Sequence, residues 1–151
     1  MKKLFKIILV IFWMVLIFSF SMDQGEAYTG KSNSIIDFVS EFILRREISY
    51  EEREMIREKY VIPVRKGAHF MIYFLLGFSF LSLLKEYNLI NRKGFYFSIL
   101  FVLLYACSDE IHQLFVSGRS GEVIDVLIDT IGGSLGIFSL YYYYLRRKKY
   151  E

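Results

Sequence analysis

Both histidines of this chain, five of its 16 acidic residues, two basic side chains and a tyrosine are spaced so that helical segments would bring them together. The densest run is Ser108–Asp129, which reads SDEIHQLFVSGRSGEVIDVLID. On a helix, Asp109, His112 and Gln113 share a face, with Glu110 beside it. Upstream, Lys66, His69, Tyr73 and Gly77 recur at spacings of three, four and four, which is a second single stripe. Downstream, Asp125, Asp129, Gly132 and Gly136 form a third, and its two glycines are a small-xxx-small pair suited to close helix approach.

Several chemistries are open to such a set. His112 with Asp109 or Glu110 has the makings of a general base and its orienting acid. Ser108, Ser117 and Ser120 are at no spacing diagnostic of a nucleophile, and Cys107 sits in an apolar run where packing is the simpler role. His69, His112, Asp109 and Asp125 are ligand types for zinc or another divalent metal, although their spacing matches no metal motif, so no cofactor is predicted. Arg119, between Gly118 and Ser120, is placed to hold a phosphate or carboxylate bidentately, with Lys66 and Arg65 in support. Lys66 and Arg119 against Asp109, Glu110, Glu122, Asp125 and Asp129 give a net charge of −3 if all ionise. A buried cluster of that charge holds protons or binds a cation. The purely structural alternative pairs Arg119 with Asp125 and Lys66 with Asp109 to fix helix register.

These residues lie between runs of Ile, Leu, Val, Phe and Tyr, so the elements that position them must be membrane helices. Of 151 residues 54% are hydrophobic and 19% aromatic, above the range of soluble domains. Four apolar segments, 4–20, 67–84, 95–116 and 123–145, each approach the roughly 20 residues that cross a bilayer core. The expectation is an all-α integral membrane protein, a four-helix transmembrane bundle in one domain over residues 1–151. The net charge of +3 has no concentrated basic face, which excludes nucleic acid as a partner. One cysteine excludes an internal disulfide, and nothing specifies an oligomer.

Lys2, Lys3 and Lys6 precede the first span, Lys85, Arg92 and Lys93 separate the second from the third, and Arg146, Arg147, Lys148 and Lys149 follow the fourth. The positive-inside rule puts these ten residues, and both termini, on the cytoplasmic side of a bacterial cell membrane. The polar stripes then meet at the outward surface, with Asp109 roughly 21 Å from the cytoplasmic end of its helix. The first span reads as a retained anchor in preference to a cleaved signal, since Phe20, Met22 and Asp23 surround the small-residue site poorly. The outer segment 21–65 reads as two short helices with capping boxes at Ser34–Asp37 and Ser49–Glu52, the second ended by Pro63.

The pattern K-x-x-H-F-x-x-Y-x-x-L-G from Lys66 to Gly77, then S-D-E-x-H-Q-x-F from Ser108 to Phe115, then G-R-S-G with D-V-L-I up to Ile128, resembles the VanZ-like family. Phe20–Gln24 resembles that family's short polar motif after its first span. The resemblance covers nearly the whole chain and implies a small bacterial membrane protein of about four spans. The family's founding member is associated with low-level resistance to teicoplanin, a glycopeptide antibiotic. Carried over by position, the family's polar signature falls on Lys66, His69, Tyr73, Asp109, Glu110, His112, Gln113, Arg119 and Asp125. Asp129 departs from it, since the family usually has Asn there.

Three readings follow. In the first, the chain engages a lipid-linked or lipoglycopeptide ligand at an outward-facing pocket and lowers susceptibility to teicoplanin-like antibiotics. In the second, it is a membrane enzyme acting on an envelope lipid or cell-wall precursor. In the third, its outer segment 31–62 docks another envelope protein.

Overall fold

The computed structural model describes residues 1–22, 25–45, 49–116 and 121–149. They form five helices: α1 (Lys2–Met22), α2 (Gly25–Leu44), α3 (Tyr50–Lys85), α4 (Arg92–Gln113) and α5 (Val123–Lys149). No strand occurs among the described residues. α1, α3, α4 and α5 are long and apolar enough to cross a membrane.

The bundle is apolar outside and mixed inside, the reverse of a soluble domain. Leu4, Ile8, Ile11 and Val15 on α1, and Ile124, Leu127, Ile131 and Leu135 on α5, are exposed. Ser21, His69, Asp109, Glu110, Gln113 and Asp129 are buried. Only a lipid surround makes that arrangement favourable, because bare hydrocarbon on the exterior then costs nothing.

α3 packs against every other helix. Its 36 residues span about 54 Å, well beyond a hydrocarbon core of about 30 Å. Ser49 caps it, accepting from the Glu52 amide as the sequence predicts. Pro63, however, does not end a helix: it lies inside continuous α3. An internal proline costs about 3 kcal/mol, and here α2 braces the turns before it. Arg53 reaches Asp37 at 3.3 Å and Glu41 at 2.7 Å, and Arg57 donates to Asp37. The Ser34–Asp37 capping box is also overturned. α2 begins at Gly25, so Ser34 is mid-helix, and the Asp37 carboxylate serves the two arginines of α3. On α2, Ile36 is buried while Phe38 and Phe42 stay exposed, a face fit for the membrane interface.

α3 and α5 run parallel and share the most extensive contact in the molecule. Glycines set their separation. A Cβ on Gly77 would overlap the Gly133 carbonyl, one on Gly132 the Phe70 carbonyl, and one on Gly136 the Phe74 carbonyl. α1 runs antiparallel to α3, with Trp13 Nε1 donating to Ser79 Oγ at 3.1 Å and Lys6 Nζ to Glu86 Oε1 at 2.6 Å. Tyr105 of α4 donates to the Met14 carbonyl of α1 at 2.7 Å. Asn91 caps α4 by accepting from the Gly94 amide at 3.0 Å. α4 stops at Gln113, three residues before the predicted end of its span, and residues 114–115 form a turn.

Two outcomes are expected. Gly136→Leu pushes α5 off α3 and costs about 1–3 kcal/mol or more, read as a lower thermal midpoint in detergent; an unchanged midpoint contradicts the close approach. Arg57, hydrogen-bonded to Asp37, holds that carboxylate below its ordinary range. A depressed carboxylate stabilises the fold above its unfolded value and loses that contribution as pH falls through its folded value. Amide exchange in residues 36–44 is therefore expected to rise selectively below about pH 4, and Asp37→Asn to show raised exchange already at neutral pH.

Candidate functional site

The parallel register of α3 and α5 brings two predicted stripes face to face. Lys66 donates to Asp125 and, at 3.2 Å, to Glu122. One turn deeper, His69 Nδ1 lies 3.7 Å from Asp129 Oδ2. The third stripe comes from α4. Gln113 Nε2 donates to Asp109 Oδ2 at 3.2 Å and to Glu110 Oε1 at 3.0 Å. Glu110 Oε2 accepts the Glu122 amide at 2.8 Å, which ties the start of α5 to α4. Gly121 permits this, since a Cβ there would press on the Glu110 carbonyl and the Leu114 side chain.

Helix α1 completes the layer from the other side. Ser21 is fully buried and its Oγ donates to Asp109 Oδ2 at 2.8 Å. Asp109 Oδ2 therefore receives two donors, while Oδ1 is buried with no protein partner. The Tyr73 hydroxyl, one turn along α3 from His69, is likewise buried with no protein partner. One nitrogen of His69 and one carboxylate oxygen each from Asp109 and Asp129 lie within 4.8 Å of one another.

A cavity of about 10 Å³ opens among these side chains. That holds one water or one bare ion and nothing larger. Its walls are His69 of α3, Glu110 and Gln113 of α4, and Asp129 of α5, while Arg65, Lys66 and Asp125 stand at its mouth.

Eight of the ten residues singled out from the sequence, Lys66, His69, Tyr73, Asp109, Glu110, Gln113, Asp125 and Asp129, thus fall in or beside one layer. His112 is turned away from the cavity: its ring stacks on Phe18 of α1 at 4.4 Å, and its Nε2 is buried with no protein partner. The histidine opposite a carboxylate across helices is His69. Arg119 lies outside the described residues, as do Asp23 and Gln24. Lys66 pairs with Asp125 and Glu122, and the suggested pairing with Asp109 does not form, because α3 lies against α5 in parallel register while Asp109 faces Ser21 of α1.

Ser21 was absent from the sequence-based site, and Arg65 entered it only as support for Arg119. The hint of Ser21 was its place in the polar break that ends α1; that of Arg65 was its position beside Lys66.

A family model described as VanZ/LLP1 matches residues 5–145. The chain belongs to the VanZ/LLP1 family. No curated protein and no solved structure matches it. The matched region takes in most of each of the four apolar helices and every polar residue of the layer, so this VanZ/LLP1 chain carries its buried cluster inside the region the family model matches.

Lys66 is the cation that faces the mouth carboxylates. Lys66→Met leaves Asp125 and Glu122 without it, and about 1–2 kcal/mol of destabilisation is expected, below the buried-pair value because Lys66 is about a quarter exposed. Adding Asp125→Asn is expected to recover part of the loss in thermal unfolding, and an additive double variant would refute the pairing.

Proposed function

We propose that this VanZ-like envelope protein meets the polar head of a membrane-borne ligand at the mouth of the α3–α4–α5 layer. A lipid-linked precursor or a lipoglycopeptide has that form, and its engagement lowers susceptibility to teicoplanin-type glycopeptides. The observation that carries this reading is the buried layer itself, built by three spans and open between Arg65, Lys66 and Asp125. Ionisable groups inside a membrane bundle are costly, and they mark binding or transport sites more often than scaffolding.

The orientation comes from charge. Lys2, Lys3, Lys6, Lys85, Arg92, Lys93 and Arg146–Lys149 gather at the opposite end of the bundle from the layer. With that end cytoplasmic, both termini are inside and the mouth faces outward. An amphiphile in the outer leaflet would then present its head at Lys66 while its tail stays in lipid. The small inner chamber admits no head group, so recognition belongs to the mouth.

A second reading, a membrane enzyme acting on an envelope lipid, is favoured by His69 opposite Asp129 with Asp109 nearby. A histidine held against a carboxylate across helices is a general-base arrangement.

The test is teicoplanin susceptibility of a host expressing wild type, Lys66→Ala, Arg119→Ala or His69→Ala at equal membrane levels. Wild type is expected to raise the inhibitory concentration, and Lys66→Ala and Arg119→Ala to return it to the empty-vector value. Resistance unchanged in both removes the mouth from the mechanism. A changed envelope-lipid profile, abolished by His69→Ala, transfers the assignment to the enzyme reading.

A further inference from the structure

Beside the cavity, His69, Asp109 and Asp129 form a buried group with the composition of a cation site. Asp109 is 4% and Asp129 2% exposed, and His69 is 8% exposed. Of the two cations nearby in chain position, Arg65 and Lys66, the second is engaged by Asp125 and Glu122 at the mouth. Glu110 is taken up by Gln113 and the Glu122 amide. Asp109 and Asp129 thus pair with no lysine or arginine among the described residues, and His69, 3.7 Å from Asp129, is the basic group they share.

The geometry points to a divalent first-row transition ion, zinc or manganese, bound by His69, Asp109 and Asp129. Three observations support it independently of any ligand at the mouth. The three donor atoms already lie within 4.8 Å of one another, on three different chain segments of α3, α4 and α5. His69 Nδ1 and Asp129 Oδ2, 3.7 Å apart, are beyond ordinary hydrogen-bond length and close to the about 3.4 Å that separates two ligands of a tetrahedral ion with bonds of about 2.0–2.1 Å. The remaining donor, within 4.8 Å of the other two, closes by at most about 1.4 Å around such an ion.

Asp109 supplies the decisive feature. Ser21 Oγ and Gln113 Nε2 both donate to Oδ2, at 2.8 and 3.2 Å, and fix the carboxylate plane. Oδ1 is left buried with no protein partner. That is how a monodentate metal ligand is held: outer donors occupy one oxygen and the other is presented. One nitrogen with two carboxylate oxygens suits zinc or manganese, whereas calcium takes six to eight oxygens and magnesium keeps most of its waters. The adjoining cavity has room for one water as a fourth ligand. The two positive charges of such an ion balance both aspartate charges.

The experiment is calorimetric titration of chelator-treated, purified full chain with zinc chloride and with manganese chloride, paired with metal analysis and thermal unfolding. About one ion per chain is expected to bind saturably and to raise the unfolding midpoint. Ser21→Ala, which leaves all three ligands in place, is expected to weaken binding about 10- to 100-fold, and Asp129→Asn or His69→Ala to weaken it further. Asp129→Asn is nearly isosteric, so a native-like circular dichroism spectrum separates lost binding from lost folding. No saturable binding by wild type overturns the proposal. Equal binding by wild type, Asp129→Asn and His69→Ala also overturns it, as adventitious surface binding. Because the readout is metal affinity alone, its failure leaves the susceptibility result at the mouth untouched, and the reverse holds.

Discussion

The close approach of α3 and α5 is the constraint on which the rest of the molecule depends. Gly77, Gly132 and Gly136 let backbone meet backbone where any Cβ would intrude on a carbonyl. In a membrane this contact cannot draw on the hydrophobic effect between helices, since lipid is as apolar as leucine, so dispersion across a tight surface must supply it. The tight seam also fixes rotation. Once Phe70 and Phe74 sit over Gly132 and Gly136, Lys66 meets Asp125 and Glu122, and His69 meets Asp129.

The polar layer is the second consequence of that register, and it is energetically graded. At the mouth, Lys66 and two carboxylates retain partial exposure, so their pairing is modest in value and modest in cost. Further in, exposure falls to a few per cent and the compensation changes in kind. Hydrogen bonds from Ser21, Gln113 and the Glu122 amide satisfy individual oxygens, but none of them neutralises charge. A graded site of this sort separates recognition from balance. The mouth can meet a ligand without exposing the interior, and the interior can hold a proton or ion without contact with the ligand.

Much of this was legible in the residues. Helical periodicity put Lys66, His69 and Tyr73 on one stripe and Asp125 and Asp129 on another, and a span-length count set both at one depth. Gly132 and Gly136 announced a close contact, though not its partner, because the carbonyls of Phe70 and Phe74 carry no sequence signal. Partner choice among charges was equally hidden: Asp109 and Asp125 are both acids on neighbouring helices, and only packing decides which meets Lys66. His112 shares the helical stripe of Asp109, yet at its edge, and a rotation of that size turns it toward Phe18 of α1. Pro63 misled because a local helix breaker was weighed without α2, whose Asp37 and Glu41 brace the preceding turns through Arg53 and Arg57.

α1 shows why a bundle of this kind needs its first span. It buries only Val10, Ile17 and Ser21, and most of its surface faces lipid. Its weight lies in polar contacts spaced along its length: Lys6 to Glu86, Trp13 to Ser79, the Met14 carbonyl to Tyr105, and Ser21 to Asp109. The first and last bonds are about three-quarters of a span apart, so α1 ties the basic end of the bundle to the polar layer. Removing Ser21 from its end would leave Asp109 Oδ2 with Gln113 as its single donor, and the carboxylate would lose half of the restraint that sets its plane. The inner layer is therefore a four-helix construction, with three spans supplying its charges and the fourth aiming one of them.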